Sequence, residues 1–505
     1  MTAATRPTLV TAHPARLDGR HLAALPAGIR RPTYDRGRLE PGIVHLGIGA
    51  FHRAHQAVYV DDLLHKRFGP WGIIGISLRH GAVREALEPQ DGLYTLVVRE
   101  SVRVDYRVIG SVRSVLLATE NPEAVLRCLT APATRLVTVT VTEKGYCLAP
   151  GGRLDPDHPE IRRDLEAPYT PTSAIAFLAE ALRRIRAAGT SPPTILSCDN
   201  LPANGRTLRR ALLDYASLRG GDLAGWIEEA VAVPSTMVDR IVPAATDADR
   251  AEAMAALAVE DRGAVVGEPF SQWVIENRLG DGFPNLAEVG VEIVPDVAPH
   301  ERMKLRMLNG CHSSIAYLGQ LAGYEFVADA LDDPNLHRFL KHMMAEEIAP
   351  TLPEFPMRQL AAYGAQLVRR FENRAIRHRT WQIAMDGSQK LPQRLLGSIE
   401  DRLRSNASIT RLTLAVAAWI RFLGGKDDRG QAITVSDPRA GELMRWAGLP
   451  QGDGDIVANL VDRSGIFPAA LQRSEYFRRE LVDAVALLRR VGAREALKQS
   501  AYGGA

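Results

Sequence analysis

A lysine, an asparagine and a histidine stand close together in residues 301–319, ERMKLRMLNGCHSSIAYLG. In an α-helix, Asn309 is turned by about 140° and His312 by about 80° from Lys304, so all three can share one side. Apolar residues fill most other positions, which predicts that the polar side faces a buried cleft. Burial strips hydration from an amine and favours its neutral form, so Lys304 is a candidate proton acceptor near neutral pH.

The same three residues also have a structural interpretation. A single Lys, Asn or His on an apolar helix more often snorkels, or satisfies its hydrogen bonds in the core, than takes part in catalysis. The spacing by itself is compatible with both a structural and a catalytic role, and the other motifs are needed to distinguish them.

A glycine turn follows the first apolar strand, in GIVHLGIGAFHRAHQAVYVDDLLHK. Gly47 and Gly49 suit a strand-to-helix turn that approaches a pyrophosphate, and the start of the helix offers backbone N–H groups to an anion. The third glycine of G-x-G-x-x-G is missing, because His52 stands in its place. The turn alone is weak evidence for a dinucleotide site, since Gly-x-Gly is common in loops.

Strands alternate with helices over the first 300 residues. WGIIGISL, RLVTVTVTEKGY and PTILS are predicted strands, and RTLRRALLDYA is a predicted helix, an order typical of a parallel sheet. Ligands bind beyond the carboxyl ends of such strands, where Asn200 falls. An Asx turn or a helix cap explains Asn200 equally well. The second strand ends near Arg79 and lacks the acidic residue that usually holds the ribose of NAD, so NADP stays open.

Two further groups of polar residues have both a structural and a functional interpretation. Asp239 and Arg240 lie side by side in an apolar stretch, where a structural ion pair is favoured on local grounds. Arg377, Arg379 and Lys390 fall in RAIRHRTWQIAMDGSQKLPQRL and can bind a carboxylate or several hydroxyls. The alternative for the last segment is a simple turn after a helix.

The length of 505 residues favours two domains. We predict an N-terminal arm over residues 1–40, a Rossmann-type α/β domain that binds a dinucleotide over 41–296, and a mainly α-helical domain that binds the substrate over 297–505. The sequence shows no repeat with a period of 20 to 50 residues, which excludes a solenoid.

The composition is that of an ordinary soluble protein, with 46% hydrophobic and 24% charged residues. The net charge is only +3, because 62 basic residues are offset by 59 acidic ones, and no nucleic-acid partner is expected. The four cysteines have no paired CxxC spacing, so neither a metal site nor a disulfide framework is expected. No apolar run suits a membrane span or a signal peptide, and we expect a cytoplasmic protein.

Four separated stretches, GIGAFHRAHQA, SCDNLPANG, TMVDRIVPA and KLRMLNGCH, resemble the mannitol dehydrogenase family of long-chain, metal-independent polyol dehydrogenases. The resemblance extends over residues 40–490 and implies an oxidoreductase that uses NAD. It makes Lys304 the general base and gives Asn200 and Asn309 the task of holding the developing alkoxide. It makes His312 a ligand of a substrate hydroxyl, and it makes Glu301 the group that passes the lysine's proton to solvent.

The resemblance also implies the remaining contacts. Asp239 and Lys390 fall on residues of the substrate site. The cofactor loop consists of Gly47, Ile48, Gly49, Ala50, Phe51 and His52. Hydride transfer from a secondary alcohol needs the hydroxyl proton removed and the oxygen's charge held, which a buried lysine and two amides can do without zinc.

One motif separates the branches of this family. An arginine that contacts mannitol in the mannitol-oxidising members falls on Gln382, and RHRTWQIAMDGSQKLPQR looks more like the hexuronate branch. Arg377 and Arg379 are predicted to suit an acidic substrate. The favoured expectation is therefore reduction of D-fructuronate by NADH to D-mannonate, with a mannitol or D-arabinitol dehydrogenase as the alternative.

Two other classes of function compete with this one. A redox sensor would keep the nucleotide-binding fold and lose the reaction, but the intact set of lysine, histidine and two asparagines argues against it. A zinc alcohol dehydrogenase would lose activity on chelation. We expect a small-molecule substrate, and the family favours a monomer.

Overall fold

The computed structural model describes residues 15–448 and 452–502, which form two compact units. The first unit contains residues 15–99 and 103–297, and the second contains residues 100–102 and 298–502. Residues 1–14 of the predicted N-terminal arm lie outside the described residues.

Eleven strands lie in the described part of the first unit. They are β1 Pro41–Leu46, β2 Gly72–Ser77, β3 Tyr94–Glu100, β4 Arg103–Ile109, β5 Val112–Leu117, β6 Leu136–Val139, β7 Thr194–Ser197, β8 Thr236–Asp239, β9 Val265–Gly267, β10 Gln272–Glu276 and β11 Glu292–Val294. The main sheet has the order β5-β2-β1-β6-β7 and is parallel throughout. Two three-stranded sheets, β11-β10-β8 and β4-β3-β9, accompany it.

Nine α-helices belong to the described part of this unit. They are α1 Ala50–Ala54, α2 Gln56–Lys66, α3 Ala82–Leu87, α4 Pro122–Thr130, α5 Pro159–Glu166, α6 Ala174–Ala188, α7 Asn204–Arg219, α8 Leu223–Ala230 and α9 Asp247–Leu257. Short 3₁₀ turns lie at Leu22–Ala24, Arg36–Arg38, Glu88–Gln90, Glu143–Tyr146 and Leu286–Val289.

Alternate residues of the central strands face opposite sides of the main sheet. In β1, Val44 and Leu46 pack with α4, α6 and α7, whereas Ile43 packs with α2 on the other face. Both faces are therefore covered by helices, which explains why these strands are apolar at almost every position. The predicted Rossmann-type α/β fold is confirmed.

The predicted helix after the first glycine turn is wrong in one respect, because it is two helices. Its backbone leaves the helical region at His55, whose φ and ψ are −128° and −87°. His55 is buried, and its Nε2 lies 2.9 Å from the carbonyl oxygen of Gln272 on β10. This tertiary contact accompanies the break, which divides α1 from α2.

The second unit is mainly helical, as predicted. Its α-helices are α10 Ala298–Met303, α11 Gly310–Ala322, α12 Val327–Leu331, α13 Pro334–His342, α14 Met357–Phe371, α15 Thr380–Ala384, α16 Gly387–Leu391, α17 Gly397–Arg404, α18 Thr410–Phe422, α19 Ala440–Gly448, α20 Asp453–Arg463, α21 Ala469–Arg473 and α22 Glu475–Tyr502. Three π-helical segments, Lys304–Asn309, Met343–Ile348 and Pro392–Leu396, and a 3₁₀ turn at Ala349–Thr351 complete it. Helices α11 and α18 form the centre of the core and are buried on nearly every side.

Candidate active site

The two glycines of the first turn have different structural roles. Gly47 has a φ of +94°, and a Cβ atom there would lie 2.0 Å from the carbonyl oxygen of Thr140. Around Gly49, only the carbonyl oxygen of Gly47 comes within 4 Å of such an atom, at 3.8 Å. Gly47 thus lets the chain pass close to the end of β6, while Gly49 leaves the open space that a pyrophosphate needs. Ala50 and Phe51 follow as the first residues of α1.

Two predicted cofactor residues have side chains that are buried inside the protein. Ile48 packs on Gly75 of β2, where a Cβ atom would come within 2.1 Å of its Cδ1. His52 stacks on His45 with 3.4 Å between ring centroids. Burial lowers the pKa of His45 to about 3 and holds the pKa of His52 well below its usual value. His52 therefore replaces the missing third glycine with a neutral, packed ring, and the role of both residues in binding a cofactor stays a prediction.

Arg79 follows the carboxyl end of β2 and already has an acidic partner. Its Nη2 lies 2.5 Å from Oε1 of Glu160. A 2′-phosphate would have to compete with this carboxylate. The surroundings of Arg79 therefore favour NAD over NADP.

Asn200 is exposed at the carboxyl end of β7. The alternative that it caps α7 is wrong, since the N-cap of that helix is Ala203. The structural asparagine of this loop is the buried Asn204, which donates to the carbonyl oxygen of Asp199 and accepts from the backbone N–H of Thr236. These bonds fix the loop and leave Asn200 at the strand end, where the prediction placed it.

The predicted ion pair between Asp239 and Arg240 is not formed. The Arg240 guanidinium donates to the carbonyl oxygens of Glu268 and Ala54, at 2.6 to 2.9 Å. Neighbouring residues along an extended chain point to opposite faces, which separates the two side chains. Burial lowers the pKa of Arg240 to about 10. Asp239 is buried at the end of β8, and its role as a substrate residue stays a prediction.

The helix that carries Lys304 differs from the predicted α-helix. Residues Lys304–Asn309 form a π-helical segment between α10 and α11, in which the N–H of Gly310 donates to the carbonyl of Leu305. Hydrogen bonds from residue i to i+5 widen the turn, so residues five apart come onto the same face. Lys304 and Asn309 are five apart. In this segment the angle about the helix axis between the Lys304 and Asn309 side chains is therefore smaller than the predicted 140°.

The three polar side chains of this helix are buried, with Lys304, Asn309 and His312 exposed to 7%, 8% and 7%. Oδ1 of Asn309 and Nε2 of His312 have no hydrogen-bond partner within the described chain. The pKa of His312 lies well below its usual value, first because of burial and then because of the neighbouring His378 and the charge of Arg394. Unsatisfied buried polar atoms are rare in proteins, so the face is suited to a polar ligand.

His378 belongs to this cluster and was not predicted. Its ring meets that of His312 edge to face, with 5.2 Å between centroids, and its Nδ1 is buried without a hydrogen-bond partner. Burial lowers its pKa to about 4. The sequence signal for it is its place between Arg377 and Arg379 in the RHR motif.

Those two arginines face another side chain. Arg377 and Arg379 lie over the ring of Phe326, with 4.5 and 5.1 Å from guanidinium carbon to ring centroid. Arg379 also pairs with Glu325 and remains 43% exposed. Both arginines thus have partners within the protein, and their predicted contact with a carboxylate stays a prediction.

Lys390 and Glu301 complete the set of predicted site residues. Nζ of Lys390 donates to the carbonyl oxygen of Met385 at 2.6 Å. Glu301 is half-buried on α10, three residues before Lys304. Their roles in substrate contact and proton transfer stay predictions.

The described residues include no group of three or more His, Cys, Asp or Glu side chains that could hold a metal ion. The four cysteines are free. None of the helices in the described ranges combines the length and the apolar character needed to cross a bilayer.

Family models match both units of the chain. The mannitol dehydrogenase Rossmann domain matches residues 41–288, and the mannitol dehydrogenase C-terminal domain matches residues 296–488. The chain belongs to the mannitol dehydrogenase family. This membership confirms the resemblance inferred from the sequence motifs.

Members of the mannitol dehydrogenase family that are similar to this chain include proteins of two activities. A D-mannonate oxidoreductase from Escherichia coli (strain K12) is 45% identical over 92% of this chain and 97% of that protein. A mannitol 2-dehydrogenase from Phaeosphaeria nodorum is 37% identical over 99% of this chain and 88% of that protein. The structure of Pseudomonas fluorescens mannitol 2-dehydrogenase, a ternary complex with NAD and D-mannitol, is 36% identical and covers 97% of this chain and 100% of that one, with a TM-score of 0.85.

Proposed function

We propose that this protein catalyses the reversible reduction of D-fructuronate to D-mannonate by NADH. Its class follows from the family: the protein is an NAD-dependent oxidoreductase that acts on a CH–OH group. The identity of the substrate, a uronate, is what we propose beyond this class.

The observation that carries the proposal is the polar face of the helix from Lys304 to His312. An amine, an amide with an unpartnered oxygen and a neutral imidazole with an unpartnered nitrogen lie on a buried surface. A substrate with several hydroxyl groups can satisfy these atoms, because each hydroxyl both donates and accepts. Such a face has little use in a protein that only senses a nucleotide.

The glycine turn fits NAD. The space outside Gly49 is what a Cβ atom would fill, and Gly49 is the N-cap of α1, where the first backbone N–H groups of a helix have no partner within the helix. When bound, NAD(H) accepts or supplies the hydride at the reacting carbon. In the oxidation, Lys304 takes the hydroxyl proton, and in the reduction its ammonium returns a proton to the oxygen. The amide of Asn309 stabilises the charge on that oxygen, and the same role for Asn200 stays what the family resemblance implies.

The substrate is inferred from the relatives and from one substitution. The D-mannonate oxidoreductase is 45% identical to this chain, and the mannitol 2-dehydrogenase from Phaeosphaeria nodorum is 37% identical. The chain has Gln382 at the position where the resemblance to the mannitol-oxidising members implies a mannitol-contacting arginine. A mannitol or D-arabinitol dehydrogenase is the second candidate, and the mannitol part of it is supported by the 36% identity to the mannitol 2-dehydrogenase whose structure contains NAD and D-mannitol.

A reduction screen tests the substrate. Fructuronate, tagaturonate, fructose and xylulose are each offered with NADH and with NADPH, and the loss of absorbance at 340 nm is followed. We expect the largest kcat/KM for fructuronate with NADH. A larger value for fructose or xylulose would assign the protein to the polyol branch, and NADH binding without any turnover would revive the redox sensor.

Replacement of Lys304 tests the mechanism. Lys304→Met should lower kcat by about 10² to 10⁴-fold, because the general acid-base group is lost, and should leave the dissociation constant of NADH nearly unchanged. Lys341→Met is the matched control, since Lys341 is an exposed lysine of α13 in the same unit. Turnover of Lys304→Met at the level of the control would exclude Lys304 as the base.

A further inference from the structure

An arginine that the sequence motifs did not single out lies beside the polar face of α11. Arg394 falls in the π-helical segment Pro392–Leu396. This segment crosses the start of α11 closely, because a Cβ atom on Gly310 would lie 2.8 Å from the carbonyl oxygen of Arg394. From this crossing the Arg394 side chain reaches Ser313, and its Nη1 donates to Oγ of Ser313 at 3.2 Å.

Arg394 has no acidic partner. Within residues 15–448 and 452–502, no Asp or Glu oxygen is within ion-pair distance of its guanidinium, and its single hydrogen bond leaves most of its five N–H donors unused. The contrast with Arg306 is direct, since that buried arginine of the same unit holds Oδ2 of Asp401 at 2.6 Å. Burial lowers the pKa of Arg394 to about 10, which still leaves it charged at neutral pH. An unpaired, partly desolvated guanidinium suits an anion supplied by a ligand.

The distance along the helix from Asn309 to Ser313, the residue to which Arg394 donates, matches the length of a hexuronate. Ser313 lies four residues after Asn309 on an α-helix, a rise of about 6 Å. In fructuronate four carbon–carbon bonds separate the ketone carbon from the carboxyl carbon, a span of about 5 Å when extended. A ketone oxygen at Asn309 therefore places the acid group near Ser313 and Arg394, with His312 between them.

We propose that Arg394 binds the substrate's carboxylate and sets the preference of this enzyme for uronates over neutral ketoses. This assignment rests on the proposed function. Ser313 orients the guanidinium, whose remaining donors form the fork that a carboxylate accepts. Arg377 and Arg379 are the competing candidates, but both stack on Phe326 and Arg379 is paired with Glu325, whereas Arg394 lies beside the polar face itself.

The test compares fructuronate with fructose, which differs in having CH₂OH in place of the carboxylate. In Arg394→Gln, kcat/KM for fructuronate should fall by about 100-fold or more, since a charge-assisted bidentate contact is lost, while the value for fructose should change less than about threefold. Arg394→Lys should recover part of the loss, because it restores the charge without the fork. Arg404→Gln, at an exposed arginine of α17, is the matched control and should behave as the wild type.

One result of this comparison would overturn the assignment, namely an Arg394→Gln enzyme that keeps the wild-type ratio of kcat/KM for fructuronate over fructose. If the double variant Arg377→Gln/Arg379→Gln then loses this ratio, those two arginines bind the carboxylate instead.

A binding measurement separates this assignment from the proposed function. Mannonate and mannitol are titrated calorimetrically into the wild-type and Arg394→Gln proteins with NAD present. A wild type that reduces no uronate would contradict the proposed function. Even then, mannonate binding that is weaker in Arg394→Gln than in the wild type, with mannitol binding unchanged, would support Arg394 as the carboxylate ligand. A wild type that binds mannonate no better than mannitol overturns the Arg394 assignment.

Discussion

Replacing the two glycines of the nucleotide turn one at a time should separate folding from cofactor binding. In Gly47→Ala, the new methyl group would lie 2.0 Å from the carbonyl oxygen of Thr140, where at least 3.0 Å is needed, so β6 must move by about 1 Å. That movement disturbs the hydrogen bond from Thr140 N–H to the carbonyl of Leu46, 2.9 Å long. The left-handed φ of +94° adds a second penalty for alanine.

The magnitude follows from these two terms. The left-handed conformation costs about 1 to 2 kcal/mol for a residue with a Cβ atom, and a weakened buried backbone hydrogen bond costs about 1 to 3 kcal/mol. A total of about 3 kcal/mol should lower Tm by about 6 to 12 °C for a unit of this size. Gly49→Ala is the matched control for stability, because its φ is −84° and its Cβ would meet only the Gly47 oxygen at 3.8 Å. Its Tm should stay within about 2 °C of the wild type.

The assay has two readouts. Thermal unfolding without nucleotide measures stability, and NADH fluorescence measures the dissociation constant. Gly49→Ala should weaken NADH binding by about tenfold or more, because its methyl group fills the space next to the pyrophosphate. A Tm for Gly47→Ala within 2 °C of the wild type would refute the packing of Gly47 on β6. NADH binding of wild-type strength in Gly49→Ala would remove Gly49 from the cofactor site.

Two further predictions concern the polar face of the second unit. Asn309→Asp should lower kcat for ketone reduction by about 10² to 10³-fold with little change in NADH affinity, because a donor to the charged oxygen is lost; steady-state kinetics that show normal turnover would exclude this role. His378 has a pKa of about 4 in the folded protein, below the value of about 6.5 in the unfolded chain, so the unfolded state binds the extra proton and Tm should fall as pH decreases from about 6.5 to 4. His378→Gln should show a smaller fall in Tm over this range, and an identical pH dependence in both proteins would contradict the assignment.

The main sheet could be predicted because its signals are local. Each central strand is a short apolar run followed by a turn and a helix, and only one common architecture buries both faces of such strands. The helix with Lys304 could also be found, since Lys304, Asn309 and His312 fall at helical spacing in a segment that is mostly apolar. Its π-helical geometry could not, because no residue in it marks a change from i+4 to i+5 hydrogen bonding.

The arginines show why the rest of the site needed coordinates. Arg377, Arg379 and Arg394 are equally basic in the sequence, but the first two stack on Phe326 and only the third reaches Ser313. Which of these arginines lies beside Ser313 depends on residues that are distant along the chain. His378 could not be predicted for the same reason, because its ring contacts that of His312, a residue distant along the chain.

The wide turn at Lys304–Asn309 also constrains how this enzyme can be altered. Such a turn corresponds to an ordinary helix with one inserted residue, which the wider turn accommodates, so the residues after it keep their direction relative to α10. Converting this segment to a regular α-helix of the same length would rotate His312 and Ser313 by roughly 100° away from their present direction, because each residue of an α-helix turns by that angle. Mutations that straighten the helix would therefore make the protein more robust and less active, so thermostability engineering should leave this insertion untouched.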